Sequence, residues 1–380
     1  FKFSPGDKTL TFFDSSKKLS EGNAFYGNPL ELVQAKESNL PDSIIKVKED
    51  FLSKAIKGEN AMTDNELLLQ DRLQKISQVI NKYGEENFYQ SFSGGKDSTV
   101  LSALLDMALP NNKIPRVYAN TGIEYRMIFD FVVKKQQQNH TWELFILKPT
   151  VPIKPTLEQV GYPYKSKYHS KILATYQRSG MDGMESVTNY LQLTIPKSGA
   201  IKHSQHLCPQ ILMHQFTPEY KLKVSAKCCD KLKKEPIHKW QREHNKPFAI
   251  IGIMPDEGGQ REDAKCLAFT GSKLKAFQPL VPVTKKWEDW FISEYGIEIC
   301  DIYKPPYNFD RTGCKGCPFA LHLQEELDTL EKYFPAERKQ CEIIWKPVYE
   351  EYRRLGYRLR KNEQVDGQIN LEDYLKDIND

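Results

Sequence analysis

From Thr63 the chain becomes periodic. After the entry Asn65-Glu66-Leu67-Leu68-Leu69, apolar residues recur at Leu68, Leu69, Leu73, Ile76, Val79 and Ile80, a spacing that predicts an amphipathic helix running to about Lys82 and ended by Gly84. The stretch Asn87-Phe88-Tyr89-Gln90-Ser91-Phe92 is aromatic and extended in character, and residues 99–109 are apolar at helical spacing. The same alternation then repeats: a strand over 116–119, a helix over 126–137 and a strand over 142–147. A further strand over 248–253 is continuously apolar, as expected of a strand buried on both faces. Strands alternating with helices predict an α/β fold with a doubly wound, mostly parallel sheet, in which ligands sit beyond the carboxyl ends of the strands.

Other stretches carry less pattern. Residues 1–60 are polar and mixed, with turn signals at Ser4-Pro5-Gly6, Gly27-Asn28-Pro29 and Leu40-Pro41-Asp42, and read as an N-terminal appendage. Residues 150–245 are rich in Lys, Tyr, His and Pro and are expected to form a long irregular insertion or lid that contacts substrate. The α/β domain is thus placed at 61–265 and a helical C-terminal lobe at 266–380, with helices over 321–333 and between 335 and 361.

Composition changes this picture little. Over 380 residues, 39% hydrophobic and 27% charged is the balance of a globular protein, and the net charge of +4 permits but does not demand a polyanionic partner. No apolar run approaches the length of a membrane span, and the first residues, Phe1-Lys2-Phe3-Ser4-Pro5, hold no continuous apolar signal segment, so the expectation is a cytoplasmic protein. Its eight cysteines are then candidates for metal binding, catalysis or burial before disulfides.

The chemistry begins at Ser93-Gly94-Gly95-Lys96-Asp97-Ser98, between the strand at 87–92 and the helix at 99–109. Adjacent glycines let backbone approach a ligand closely, and the turn aims unpaired N–H groups and the positive helix end at it, so an anion is the natural ligand. Lys96 adds a point charge for phosphate and Asp97 can hold Mg²⁺. A Walker A loop would need glycine and Ser/Thr where Gln90 and Asp97 stand. The loop resembles instead the complete SGGxDS pyrophosphate loop of the N-type ATP pyrophosphatases, within the adenine nucleotide alpha hydrolase-like fold. That resemblance implies ATP cleavage between the α- and β-phosphates and assigns nucleotide contact to Ser93, Gly94, Gly95, Lys96, Asp97 and Ser98.

Two further segments are similar to the phosphoadenosine-phosphosulfate (PAPS) reductase branch of that family. Asn120-Thr121-Gly122-Ile123-Glu124 resembles its DTG stretch, with Asn120 in place of Asp, and implies nucleotide contact by Thr121, Gly122 and Glu124. Gly258-Gly259-Gln260-Arg261-Glu262-Asp263 resembles its GxRxxE/Q motif, although Met254-Pro255-Asp256-Glu257 departs from the usual spacing, and implies that Arg261 grips phosphate or sulfate.

Cys228-Cys229 and Cys314-Lys315-Gly316-Cys317 offer four thiolates, which satisfy an iron–sulfur cluster or a structural zinc. Adjacent cysteines can ligate different irons of a cubane, whereas a single zinc would strain the backbone between them. A CC pair with a Lys/Arg-x-x-Pro tail and a distant GCxxC resembles the [4Fe–4S] pattern of adenylylsulfate (APS) reductases and DndC-type DNA phosphorothioation proteins. Phe277-Gln278-Pro279-Leu280, Trp287-Glu288-Asp289-Trp290-Phe291, Tyr303 and Tyr307 are similar to that branch as well. Of the other cysteines, Cys300 and Cys341 stand in apolar contexts expected to bury them. Cys208 lies among His203, His206 and His214, a second candidate zinc set, and Cys266 follows Arg261 closely. Arg353, Arg354, Arg358, Arg360 and Lys361 interleave with Tyr349, Tyr352 and Tyr357, a mixture suited to nucleic acid or to the solvated face of a terminal helix.

Together the resemblances imply an ATP-dependent, pyrophosphate-releasing iron–sulfur sulfurtransferase with Lys96, Asp97 and Arg261 as catalytic residues. Its partners would be an adenine nucleotide, a cysteine desulfurase or other sulfur-donor protein, and nucleic acid as a candidate acceptor. The alternatives are an APS/PAPS reductase, which usually has a degenerate pyrophosphate loop and a C-terminal cysteine, and a nucleotide-binding subunit without turnover. Residues 342–380 contain no cysteine.

Overall fold

A computed structural model describes residues 2–4, 9–11, 63–139, 141–181, 185–192, 207–255 and 263–361. The chain divides into two compact units, 1–77 with 104–111, and 78–103 with 112–380. In the first, β1 (Lys2–Ser4) and β2 (Thr9–Thr11) pair antiparallel. Helix α1 (Asp64–Tyr83) opens on a capping box: Thr63 N–H donates to Glu66 Oε2 at 2.8 Å and Glu66 N–H donates to Thr63 Oγ1 at 3.3 Å. Its expected apolar face is buried at Leu69, Leu73, Ile76, Val79 and Ile80.

The second unit holds the sheet. Its strands and helices alternate as β3 (Phe88–Ser91), α2 (Lys96–Ala108), β4 (Arg116–Ala119), α3 (Arg126–Gln138) and β5 (Leu144–Leu147). The helices α4 (Ile153–Val160), α5 (Lys167–Ser179), α6 (Glu185–Tyr190) and α7 (Glu235–Glu243) follow. Then come β6 (Phe248–Ile250), β7 (Leu267–Thr270) and β8 (Lys273–Phe277), and last α8 (Lys285–Glu294), α9 (Leu323–Tyr333) and α10 (Pro335–Leu355). The six strands run in the order β5-β4-β3-β6-β8-β7, all parallel except the edge strand β7. The fold is therefore the α/β, mostly parallel sheet that the alternation indicated. The chain builds outward from β3 through β4 to β5, then returns to place β6 on the other flank of β3. That reversal opens a crevice at the carboxyl ends of β3 and β6, where open α/β sheets bind ligands.

Two features of the sequence hid structure. The segment expected to be irregular carries α4 to α7; polar residues at the inward positions Thr156, His169 and Ser170 interrupt the apolar periodicity of α4 and α5. His169 is buried between Tyr190 OH at 2.9 Å (Nδ1) and Gln215 Oε1 at 2.8 Å (Nε2), and burial lowers its pKa to about 4, leaving a neutral ring that ties α5 to its neighbours. The hairpin β7–β8 was also illegible, since β8 alternates lysine with apolar residues over only five positions. A continuous core runs from Phe92, Tyr118 and Ile128 through Leu173 and Leu232 to Leu327, Trp345, Val348 and Tyr352.

Candidate active site

The glycine loop follows β3 at the crevice. Gln90, buried in β3, reaches under the loop: its Nε2 donates to Ser98 O at 2.8 Å and its Oε1 accepts from Ser102 Oγ at 2.6 Å. Ser98 Oγ donates to Gly95 O at 3.0 Å and accepts from Ser93 N–H at 3.2 Å, while Ser93 Oγ accepts from Gly95 N–H at 3.3 Å. The two serines at the ends of the motif thus serve to shape the loop. Gly94 has φ 73°, and a methyl group there would stand 2.7 Å from Val132 Cγ2, so α3 leaves room for glycine alone. The first N–H groups of α2 have no intrahelical acceptor and face outward from this turn. Past β6, Gly252 lies so close that a methyl group on it would meet the Asp97 carbonyl oxygen at 3.1 Å.

Residues from well beyond the sheet reach the loop. Lys96 Nζ stands 5.6 Å from the centre of the Tyr303 ring, and a methyl group on Gly95 would meet Tyr303 OH at 3.4 Å. Tyr303 OH pairs with Thr312 Oγ1. Glu288, buried in the first turn of α8, lies close enough to Asp97 for the two carboxyl groups to interact. Burial and the adjacent Asp97 carboxylate push its pKa up to about 8, against the opposing pull of Lys96. Glu288 and Tyr303 belong to a stretch the sequence marked by resemblance, but nothing in their spacing gave them a role.

On the neighbouring strand, β4, the Asn120–Glu124 loop is knotted by its own side chains. Asn120 Oδ1 accepts from Gly122 N–H at 3.0 Å, and Thr121 Oγ1 donates to Glu124 Oε1 at 3.0 Å. Gly122 is exposed, but the buried Thr121 and the shielded Glu124 turn toward the cysteines. Cys314 Sγ lies 3.9 Å from both Thr121 Oγ1 and Glu124 Oε1, and Lys233 Nζ lies 3.0 Å from Glu124 Oε1. Lys315 N–H donates to Ile123 O at 2.9 Å, strapping the two loops together.

Cys228 and Cys229 stand within electrostatic reach of Cys314 and Cys317, about 85 residues further along the chain. Cys228 and Cys229 lead into a wide π turn over Asp230–Lys234, which brings Lys233 to the site. A hydrogen bond from Cys228 lowers the Cys229 thiol, whereas burial pushes Cys314 up to about 12 and Cys317 well above the ordinary thiol value. No three His, Cys, Asp or Glu side chains stand in metal-holding geometry among the described residues. Four thiols are nonetheless the donor chemistry an iron–sulfur cluster requires, and Lys233, ion-paired to the Glu124 carboxylate that Cys314 faces, would offset part of the thiolate charge.

The wall behind the second pair is α10. Tyr349 OH donates to Gly316 O, Trp345 Nε1 donates to Lys315 O at 3.1 Å and Tyr352 OH donates to Pro318 O at 2.9 Å. Lys315 Nζ pairs with Glu337 at 2.6 Å in a largely buried ion pair. This corrects the reading of Tyr349 and Tyr352 as stacking platforms for nucleic acid, since both are fully buried and spend their hydroxyls on the cysteine loop. The arginines that follow them are paired as well, Arg353 with Glu342, Arg354 with Glu351 and Arg360 with Asp328. The candidate zinc set around Cys208 is not assembled from His214, whose ring bonds Glu351 and Ile211 O, while His203 and His206 lie outside the described residues. Arg261 also lies outside them. Cys300 and Cys341 are buried as expected.

Gly316 has φ 61°, and a methyl group there would stand 2.9 Å from Cys341 Sγ. Gly316→Ala is therefore expected to cost about 3 kcal/mol, from the left-handed backbone and the overlap together. Denaturant unfolding checks this, and a loss under 1 kcal/mol would mean that α10 yields easily.

No family model matches the chain. A stretch of 80 residues is 35% identical to GMP synthase [glutamine-hydrolyzing] of Thermosipho africanus, spanning 20% of this chain and 14% of that protein. Among solved structures, the chain is similar to the U34-tRNA thiolase NcsA of Methanococcus maripaludis with its [4Fe-4S] cluster, at 17% identity and TM-score 0.35, covering 83% of this chain and 88% of that one. It is similar to phosphoadenylyl-sulfate reductase of Candida auris at 12% identity and TM-score 0.34, covering 64% and 92%. For FMN adenylyltransferase of Candida glabrata in complex with ATP the values are 12%, 0.41, 72% and 69%. At these scores the likenesses assign no activity to this chain. Among the described residues, no helix is long and apolar enough to cross a membrane.

Proposed function

We propose that the chain is an ATP-dependent enzyme of the adenine nucleotide alpha hydrolase-like kind, cleaving ATP between the α- and β-phosphates and passing sulfur to the adenylated acceptor. The observation that carries this reading is the juxtaposition of two sites: an intact Ser93–Ser98 loop at the crevice, and a cysteine loop whose Cys314 packs against the loop after the next strand. An acceptor oxygen attacks the α-phosphorus, the bond to the bridging oxygen breaks, and pyrophosphate leaves with the electron pair; sulfide-level sulfur from the donor then attacks the acceptor atom that bears the adenylyl oxygen, and AMP leaves with that oxygen and its electron pair. The N–H groups at the start of α2 and the Lys96 ammonium take up the charge that grows on that leaving group. Mg²⁺, held at Asp97, would add Lewis-acid stabilisation. Gly122, exposed at the end of β4, is suited to the nucleoside side of the crevice, and Arg261 to a phosphate. Thr121 and Glu124 bridge toward the cysteines, where a [4Fe–4S] cluster held by Cys228, Cys229, Cys314 and Cys317 would carry sulfur or electrons. A sulfur-donor protein is the partner this chemistry requires, and nucleic acid remains the proposed class of acceptor.

Sulfonucleotide reduction is the less favoured reading, because it needs a mobile exposed thiolate. Cys341 is fully buried, and burial pushes its thiol up to about 12. A nucleotide-binding subunit without turnover would have little use for Lys96 and Asp97 beside a second acid. The deciding experiment follows α-labelled ATP with the protein and candidate acceptors, in the presence of a sulfide donor. AMP and pyrophosphate are the expected products; ADP and phosphate would overturn the reading.

A further inference from the structure

We infer that Glu288 and Asp97 together form a two-carboxylate seat for one divalent cation at the mouth of the glycine loop. In the proposed reaction, on which this role rests, the seat would hold the magnesium that accompanies ATP. Asp97 comes from the first turn of α2 and Glu288 from the first turn of α8, 191 positions later in sequence, and the two carboxyl groups are near enough to act on each other. Glu288 is 1% exposed, and its Oε1 is buried without any hydrogen-bond partner in the described structure. A buried carboxylate oxygen left unpaired is costly, and one that stands beside a second carboxylate is costlier still. A cation between the two settles both debts of charge, taking the free oxygen as a ligand. Magnesium is commonly bound by one or two carboxylates together with water and substrate phosphates, which is what this pair and the loop provide.

The surroundings narrow the ligand further. Lys96 lies on the same side, close enough to affect Glu288, and its Nζ faces the Tyr303 ring. The seat therefore has a phosphate-binding cation next to it and an aromatic wall, which suits a metal–phosphate pair better than a bare ion. A purely structural role would leave Glu288 as a protonated acid donating its hydrogen to Asp97, with no contribution to metal affinity.

Mn²⁺ titration of the full chain, read from the free-ion electron paramagnetic resonance signal without nucleotide, separates these roles. The wild type is expected to bind one Mn²⁺. Glu288→Gln, which keeps the shape and a hydrogen-bonding group, should raise Kd at least about tenfold, the scale reached even by outer-shell partners. Asp97→Asn should do the same, and Glu288→Asp, which withdraws the charge by one methylene, should fall between. An unchanged Kd in folded Glu288→Gln or Glu288→Asp protein, or no Mn²⁺ bound by the wild type, overturns the inference. The two readings fail separately. AMP and pyrophosphate formed with Kd unchanged in Glu288→Gln sinks the seat alone, whereas a seat lost with either carboxylate in a protein that makes ADP sinks the α–β assignment alone.

Discussion

Lys96→Ala is expected to slow pyrophosphate formation by about a hundredfold to a thousandfold, the scale of removing one preorganised charge-stabilising group. The ammonium stands at the first residue of α2, beside the Tyr303 ring and near the acid pair, so its removal takes away positive charge where the leaving group gathers negative charge. The loop itself is held by Gln90, Ser93 and Ser98 rather than by Lys96, so its backbone should keep its shape in the variant. The loss should therefore fall mainly on kcat, and the melting temperature should change little. A variant that loses only apparent ATP affinity would place Lys96 in ground-state binding, and one that loses nothing would remove it from the reaction.

The glycine loop was legible because its chemistry is local: six consecutive residues specify the turn, the charge and the helix end. The central strands were legible for the same reason, since apolar runs such as 117–119 and 248–250 answer to burial on both faces. What covers the loop was not legible. Glu288 and Tyr303 reach it from 190 and more positions away, and only the packing of α8 and the turn at Tyr303 brings them there. The same limit applied to Thr121 and Glu124. Sequence placed them at the end of β4, correctly for the strand, and could not show that Thr121 Oγ1 donates to Glu124 Oε1 or that both stand 3.9 Å from Cys314 Sγ. The aromatic–basic pattern of α10 misled for a physical reason as well. A tyrosine at an inward helical position is amphipathic, burying its ring while its hydroxyl serves a buried carbonyl, and composition alone cannot distinguish that from an exposed stacking surface.

Anaerobically prepared protein is expected to hold about four irons and four sulfides, the content of one cubane on four thiolates. Cys228→Ser, Cys229→Ser, Cys314→Ser and Cys317→Ser should each lower that content sharply, because in the proposed site each thiolate would supply one corner. Cys300→Ser should leave it intact, since Cys300 Sγ donates to Met127 O at 3.5 Å in a different part of the core. Cys341→Ser is the sharper control. Cys341 sits under Gly316, close enough that a single added methyl group would touch its sulfur, yet it faces the loop from the α10 side. If Cys341 packs without ligating, its serine variant should retain iron while losing some stability. Binding requires the thiols to be deprotonated, and at least Cys314 and Cys317 are held protonated by burial, so assembly should release protons and become stronger as pH rises. Iron and acid-labile sulfide assays on each variant, with the visible absorption of the cluster as the second measure, decide the matter. Stoichiometric zinc without iron in anaerobic material would reassign the four cysteines to a structural Cys₄ site and remove the sulfur-carrying step from the proposed reaction.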